Sequence, residues 1–485
     1  MEQNRISALL SRQGKTHFRE ILGAVLFLAW PAIVEQIMLT AVQYVDTAMV
    51  GWLGADSTAA VGLTASTTWL FNGVFGAAAT GFSVQVAQYL GAGQSKQAKR
   101  VAAQSLRFVV LFGILVAALA VGLSFPLPYW LGAKGEVAEM AGIYFRIIAI
   151  GMPFTLGVNM VSAILRCSGD TKSPMILNTS INLINMVLNF LLIYPSRTMT
   201  LWGHSFWMPG AGLGVAGAAI ASITATALIC GVFLLVLFGK KGPVQLSVHE
   251  SRRFDSTCLR TVFRLGTPIA LERITMCGAQ ILITAVISGI GTVAIAANHL
   301  AVTAESLSYS PAFGVSVAAT TLVGQAIGAG RKDLAMRFAR VTTGIGVAIM
   351  TLGGVCLFVF ARPLISIFST DPQVIDLGMQ VLRIVAFAEP LFGASIVAGG
   401  ALRGAGDSRG PFLLSLGTMW GVRIALSLLL AAPFGLIGVW IAMAVELIVR
   451  GSVFLIRLCA GRWLHIDLLK MGKTESTAAK DETGV

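Results

Sequence analysis

The sequence predicts an all-α integral membrane protein: twelve transmembrane helices in two parallel-repeat six-helix lobes. Three observations predict it. Apolar runs of about 20 residues, the length a helix needs to cross a bilayer, recur along the whole chain. Lysine and arginine crowd into alternate loops. The first half of the chain returns as the second at an offset of 237 residues.

The runs lie near residues 22–50, 59–90, 102–124, 138–165, 174–194, 213–239, 262–290, 298–327, 339–361, 376–402, 411–432 and 435–459. They are too long and too uniformly apolar for barrel strands, which alternate and are near ten residues. Only 12% of the 485 residues are charged, against about 25% in soluble domains. The expected organisation is an N-terminal segment 1–21, an N-lobe 22–239, a linker 240–261, a C-lobe 262–460 and a tail 461–485. Residues 1–20 are polar and lack the apolar core of a cleavable signal peptide.

The formal charge of +13 would suggest nucleic acid in a soluble protein. Its placement argues for orientation instead. With the N-terminus taken as cytoplasmic, that side carries 27 Lys and Arg, and the opposite loops carry three: Lys134, Arg197 and Arg362. Both termini are therefore expected in the cytoplasm. The six cysteines are scattered without paired spacing, so neither a disulfide framework nor a metal site is expected.

The repeat is read from four segments: WPAIVEQ (30–36) and TPIALER (267–273), AQYLGAG and GQAIGAG, RIIAIGMPF and RIVAFAEPL, ILRCSGDTKSP and ALRGAGDSRGP. The register slips only after residue 174. There the loop between spans five and six is longer in the first half by sixteen residues. Each half holds an even number of spans, so the halves enter the membrane in the same sense. Such pairs enclose a central cavity and rock about it. In the linker, Asp255 or Ser256 could cap a short interfacial helix through TCLRTVFRL, with Leu259, Val262 and Phe263 on one face.

Six acids fall within spans: Glu35, Asp46, Glu272, Glu305, Glu389 and Glu446. A carboxylate in lipid is costly and marks a cavity or a partner. Asp46 and Glu35 are eleven residues apart, close to three helical turns, so they share one side about 16 Å apart along the axis. Gln43 lies one turn from Asp46. A carboxyl held away from water is able to take up a proton near neutral pH, which a proton-coupled carrier needs. Glu272 repeats Glu35, each four residues after a proline, and Arg273 is a possible partner. Glu305 and Tyr309 share a face of the most polar C-lobe span. Glu389 precedes Pro390 at an expected kink, and Glu446 with Arg450 reads as an i,i+4 ion pair. In the fifth span Asn185 and Asn189 share a face, with Asn182 one turn away, and form a candidate network with Asp46. The two GAG turns precede no Lys-Ser/Thr and follow no strand. They are helix ends, and ATP is not expected to drive this protein.

VDTAMVGWLG, the repeated Q…GAG, the paired LRCSGDTKSP and LRGAGDSRGP segments and GVWIAMAVE resemble the multidrug and toxic compound extrusion (MATE) family over residues 22–460. The resemblance implies two six-helix lobes forming a V-shaped central cavity. It also implies export of small organic, often cationic compounds in exchange for protons or sodium. No other cofactor is implied, and a monomer in the inner membrane with lipids around it is expected. The family's first-helix aspartate matches Asp46. Its fifth-helix Asn matches Asn185, but the Asp four residues on reads Asn189. One branch carries a seventh-helix glutamate and a tenth-helix aspartate where this chain has Met276 and Phe392, so the sodium site of that branch is expected to be absent. Proton or cation binding is thus expected at Asp46, Asn185, Asn189 and Glu272. Substrate contacts are expected at Glu35, Gln43, Glu305, Tyr309 and Glu389.

Two other functions compete. A lipid-linked precursor flippase would have a cationic cavity and fourteen spans. A membrane enzyme would need a nucleophile–base or metal constellation, and none of the five histidines pairs with a Cys, Asp or His at catalytic spacing.

Overall fold

A computed structural model describes residues 6, 9–10, 16–201, 204–239, 255–466 and 468. Residues 240–254 of the expected linker and 469–485 of the tail lie outside the described residues. The N-terminal half forms α1 (Phe18–Gly51), α2 (Ala55–Gly91), α3 (Ser95–Leu123), α4 (Gly135–Cys167), α5 (Lys172–Leu192) and α6 (Gly214–Gly239). The second half forms α7 (Ser256–Ser288), α8 (Thr292–Gly328), α9 (Lys332–Val359) and α10, in two pieces, Pro372–Ala386 and Glu389–Gly404. The pieces of α10 are bent by 57° where Pro390 follows Glu389. The remaining helical run, Arg409–Ala460, has 52 residues. A straight helix of that length would be about 78 Å long, more than twice the hydrocarbon thickness. Gly435, at φ +58° and ψ −137°, breaks it, and Gly438 then packs on the Leu430 backbone. The run is therefore α11 (409–434) and α12 (436–460), and among the described residues each lobe has six long helices.

Two local expectations change. The longer loop after α5 contains a β-hairpin, β1 (Pro195–Leu201) and β2 (His204–Ala211), paired antiparallel. The short helix expected at the end of the linker is the start of α7 itself. Asp255 Oδ1 accepts the Thr257 N–H at 2.9 Å, and the helix runs on unbroken. Val262 is buried on that segment, but Phe263 is 56% exposed.

The repeated GD segments turn the chain between helices. Gly169 (φ +93°) and Gly406 (φ +95°) supply the left-handed residue that ends α4 and α10. The next residue caps the following helix: Asp170 Oδ1 accepts the Ser173 N–H at 3.1 Å, and Asp407 Oδ1 accepts the Gly410 N–H at 3.0 Å. Pro31 and Pro268 lie inside α1 and α7. Pro268 removes the N–H that would have bonded the Arg264 carbonyl, and Ser408 Oγ donates to that carbonyl at 3.5 Å instead.

The lobes exchange the first turns of their first helices. Ile21, Val25, Leu28 and Ala29 of α1 are buried in a core with Val315, Leu322, Phe338 and Leu402 of the C-lobe. Their repeat mates Cys258 and Val262 of α7 are buried among Phe82, Val86, Val101 and Phe108 of the N-lobe. Between these swaps α2 crosses α8. A Cβ on Gly91 would overlap the Gln325 carbonyl, and one on Gly328 would overlap the Gln88 carbonyl. Gln88 Nε2 donates to Gly404 O at 3.2 Å and Gln325 Nε2 to Cys167 O at 2.8 Å. Beyond this seam the cores separate. Met49, Val50, Ile193 and Tyr194 cluster within the N-lobe. Ala279, Ile283, Ile287 and Trp440 cluster within the C-lobe. The lobes thus form a V, joined at the end where the basic loops lie and splayed at the other.

Candidate ion and substrate sites

The vertex of the V holds two matching ion pairs. Glu35 of α1 is 2% exposed. It bonds Arg166 in the last turn of α4 and accepts from Asn178 Nδ2 of α5. Glu272 of α7 accepts from Arg403 Nη2 of α10 at 3.0 and 3.2 Å and from Ser415 Oγ of α11 at 2.8 Å. Adding 237 to each member of the first trio gives the second. Both acids are therefore held by a permanent cation. Glu35 and Glu272, expected as a substrate contact and as an ion-binding residue, thus stand in ion pairs in this structure, as a buried carboxylate needs its counter-ion. The partner of Glu272 is Arg403, and the stem of Arg273 packs where Gly73 of α2 leaves room, 3.2 Å from a Cβ built there.

Asp46 lies eleven residues further along α1, in the splayed half. Its spacing from Glu35 is reproduced on α5 by Asn178 and Asn189, so one stripe of α1 docks on one stripe of α5. Asn189 Nδ2 donates to Asp46 Oδ1 at 2.8 Å. With its nitrogen turned toward the acid, the Asn185 amide also donates to Oδ1 at 3.0 Å, and its oxygen accepts from Ser222 Oγ of α6 at 3.0 Å. This orientation gives the Asn185 nitrogen an acceptor in the carboxylate and its oxygen a donor in Ser222, which is the basis for assigning amides. The structure thus gathers Asp46, Asn185 and Asn189 into one network and adds Ser222. Asp46 is part-exposed, and among the described residues no cation lies within ion-pair distance of it. Gln43, one turn before it, is exposed.

The C-lobe interior holds a different cluster. Glu305 of α8 and Glu389 of α10 are 2% and 0% exposed. Ser308 Oγ donates to Glu389 Oε2 at 2.7 Å, and one oxygen of each carboxyl is buried without a hydrogen-bond partner. Arg450 of α12 grips Glu446 through two bonds of 2.6 and 2.7 Å, the i,i+4 pair the spacing suggests. Arg423 of α11 lies near enough to act on Glu305 and Glu446. The ring of Tyr309 packs edge-on against Phe313 and Phe392. Glu305 and Glu389, expected as substrate contacts, are thus buried inside the lobe in this structure.

Sequence reasoning missed Arg166, Arg403, Asn178, Ser415, Ser222 and Arg423. For the first four a signal existed. Each arginine stands in a repeated LR step at the same distance from its acid, and the register that links the glutamates links their partners as well.

The MatE family model matches residues 31–191 and, again, residues 268–429. The chain belongs to the MatE family. A relative from Thermotoga maritima, described as a probable multidrug resistance protein NorM, is 29% identical over 93% of this chain and 94% of its own length. The multidrug resistance protein MdtK of Edwardsiella ictaluri is 26% identical over 91% of this chain and 95% of its own. Among solved structures, a MATE protein in complex with MaL6 superposes with a TM-score of 0.85 at 22% identity, covering 94% of this chain and 99% of that one. The fold is that of MATE transporters, and the protein is a multi-pass membrane transporter rather than an enzyme.

Proposed function

We propose that this MatE-family protein exports small organic, often cationic compounds by alternating access, driven by protons that bind at Asp46. One observation carries the coupling. Of the six intramembrane acids, Asp46 is the one with neither an arginine partner nor complete burial. Its donors are neutral amides, so its charge is free to be switched off by a proton and restored. The names of the relatives support the substrate class. The lysine and arginine bias supports cytoplasmic termini in the inner membrane, with the vertex inward and the splayed arms outward.

In this outward-open state Asp46 meets the external solution. Protonation removes the charge that Asn185 and Asn189 stabilise, since hydrogen bonds to a charged acceptor are stronger than those to a neutral one. The hold of α1 on α5 weakens, and a cation held near Asp46 and Gln43 loses its counter-charge and leaves. Reclosure carries the proton inward, where its release restores the site. A single carboxyl among amides suits a proton, and no other cofactor is required.

Vesicles carrying a pH gradient test this. One proton per cycle supports up to about a tenfold substrate gradient per pH unit, because 1.4 kcal/mol is tenfold. The Asp46→Asn variant should reach the membrane at normal levels and build no gradient. Gradient-driven export by that variant, or export that requires sodium in the parent, would overturn the reading.

A further inference from the structure

Across the 237-residue repeat the two lobes differ at one place on the exposed surface of the C-lobe. A groove of about 400 Å³ lies between α7 and α11 near the basic end of the molecule. Arg264 of α7 and Arg409 at the start of α11 line it, together with Thr267 and the apolar side chains Phe263, Leu271 and Leu413. Those three are 56%, 42% and 61% exposed. The groove lies on the outer side of the α7–α11 contact whose inner side carries Glu272 and Ser415.

In the N-lobe the same place carries aromatic rings. Trp30 stands where the C-lobe has Thr267, Phe27 where it has Arg264, and Lys172 where it has Arg409. The Lys172 ammonium sits 5.4 Å from the Phe27 ring centre and 5.9 Å from that of Trp30, within cation–π range. One lobe lines the crevice with aromatic rings that engage its cation. The other replaces the rings with a small residue and a second cation, which leaves space.

We propose that this groove binds the phosphate headgroup of an anionic phospholipid from the leaflet at the basic end. A guanidinium carries forked N–H donors that match phosphate oxygens, and both Arg264 and Arg409 line the groove. The exposed apolar side chains run beside them as a track for acyl chains. Charge and apolarity are placed together, at the depth where a headgroup meets its tails. A soluble anion would use only the arginines.

The test is native mass spectrometry of the full chain in micelles mixed with phosphatidylglycerol or phosphatidylcholine. One phosphatidylglycerol should be retained in preference to phosphatidylcholine. Arg264→Gln with Arg409→Gln should weaken that retention about 30-fold, equivalent to about 1 kcal/mol for each arginine beside an anionic lipid. Thr267→Trp should exclude the lipid with both arginines in place, and stands as the second variant if the double one misfolds. Lys172→Gln in the N-lobe should change nothing. Equal retention of phosphatidylglycerol by parent, double variant and Thr267→Trp would overturn the proposal. So would equal retention of the two lipids by the parent, or displacement by millimolar inorganic phosphate.

Discussion

Removing Arg166 should unseat the N-lobe far more than removing the glutamate it holds. The Glu35 side chain is 2% exposed, whereas that of Arg166 is 17% exposed. Arg166→Gln leaves a buried carboxylate with Asn178 as its remaining partner. Breaking a buried pair from one side costs about 3–5 kcal/mol. Glu35→Gln leaves a guanidinium that already reaches the surface, and its cost should fall nearer 1–2 kcal/mol, within the usual range for single substitutions. The double variant carries no unpaired charge and should regain most of the loss. In the C-lobe, Arg403→Gln should cost less than Arg166→Gln, since the Glu272 side chain is 8% exposed and keeps Ser415. The assay is thermal unfolding of the purified protein in detergent, run as a double-mutant cycle. For a lobe of roughly 200 residues, 3 kcal/mol corresponds to a drop of about 6–12 °C. Transport by the double variant should survive where its stability does, because the pair is scaffolding. Arg166→Gln melting with the parent, or a double variant worse than the sum of the singles, would refute the reasoning.

The seam offers further tests. Gly91→Ala or Gly328→Ala places a Cβ on a backbone carbonyl of the opposite lobe, and either should abolish export while leaving insertion intact, as measured by dye efflux. Cys167 is 4% exposed and lies against Thr321 across the seam, 3.8 Å from its hydroxyl. With Cys277, Cys356 and Cys459 replaced by alanine, it should react with maleimide when substrate turns the protein over and stay protected at rest. Asp407→Ala should cost more than the roughly 1 kcal/mol of a lost helix cap, because Asp407 also pairs with Arg457 at 2.7 Å. Glu446→Gln should destabilise the C-lobe strongly by stranding Arg450, whereas Glu389→Gln, which breaks no ion pair, should melt close to the parent.

The spans were legible because a bilayer fixes how long an apolar run must be, and the lobes because four segments kept one register. The grouping of Asp46 with Asn185 and Asn189 was legible in part: two polar stripes on parallel helices invite pairing, but nothing local named Ser222 on α6. Arg166 and Arg403 stand in the last turn before a glycine. There hydropathy does not separate a helix end from a loop. The C-lobe cluster draws Glu305, Glu389, Arg423, Glu446 and Arg450 from four helices, and only the last pair is close in sequence. The β-hairpin after α5 carries no regular alternation to announce it. The break at Gly435 sits between two apolar runs whose separation the sequence does mark.

The mutual exchange of helix starts has a consequence for how such a molecule arises. Each half offers the other a plug, Ile21 and Val25 or Cys258 and Val262, and the socket that receives it. That is the self-complementary geometry of a twofold dimer. Fusing two copies required no new contact surface, and with the joint secured by both, the remainder was at liberty to diverge. Position 46 is an aspartate and its mate, position 283, an isoleucine, so the two arms no longer carry the same chemistry.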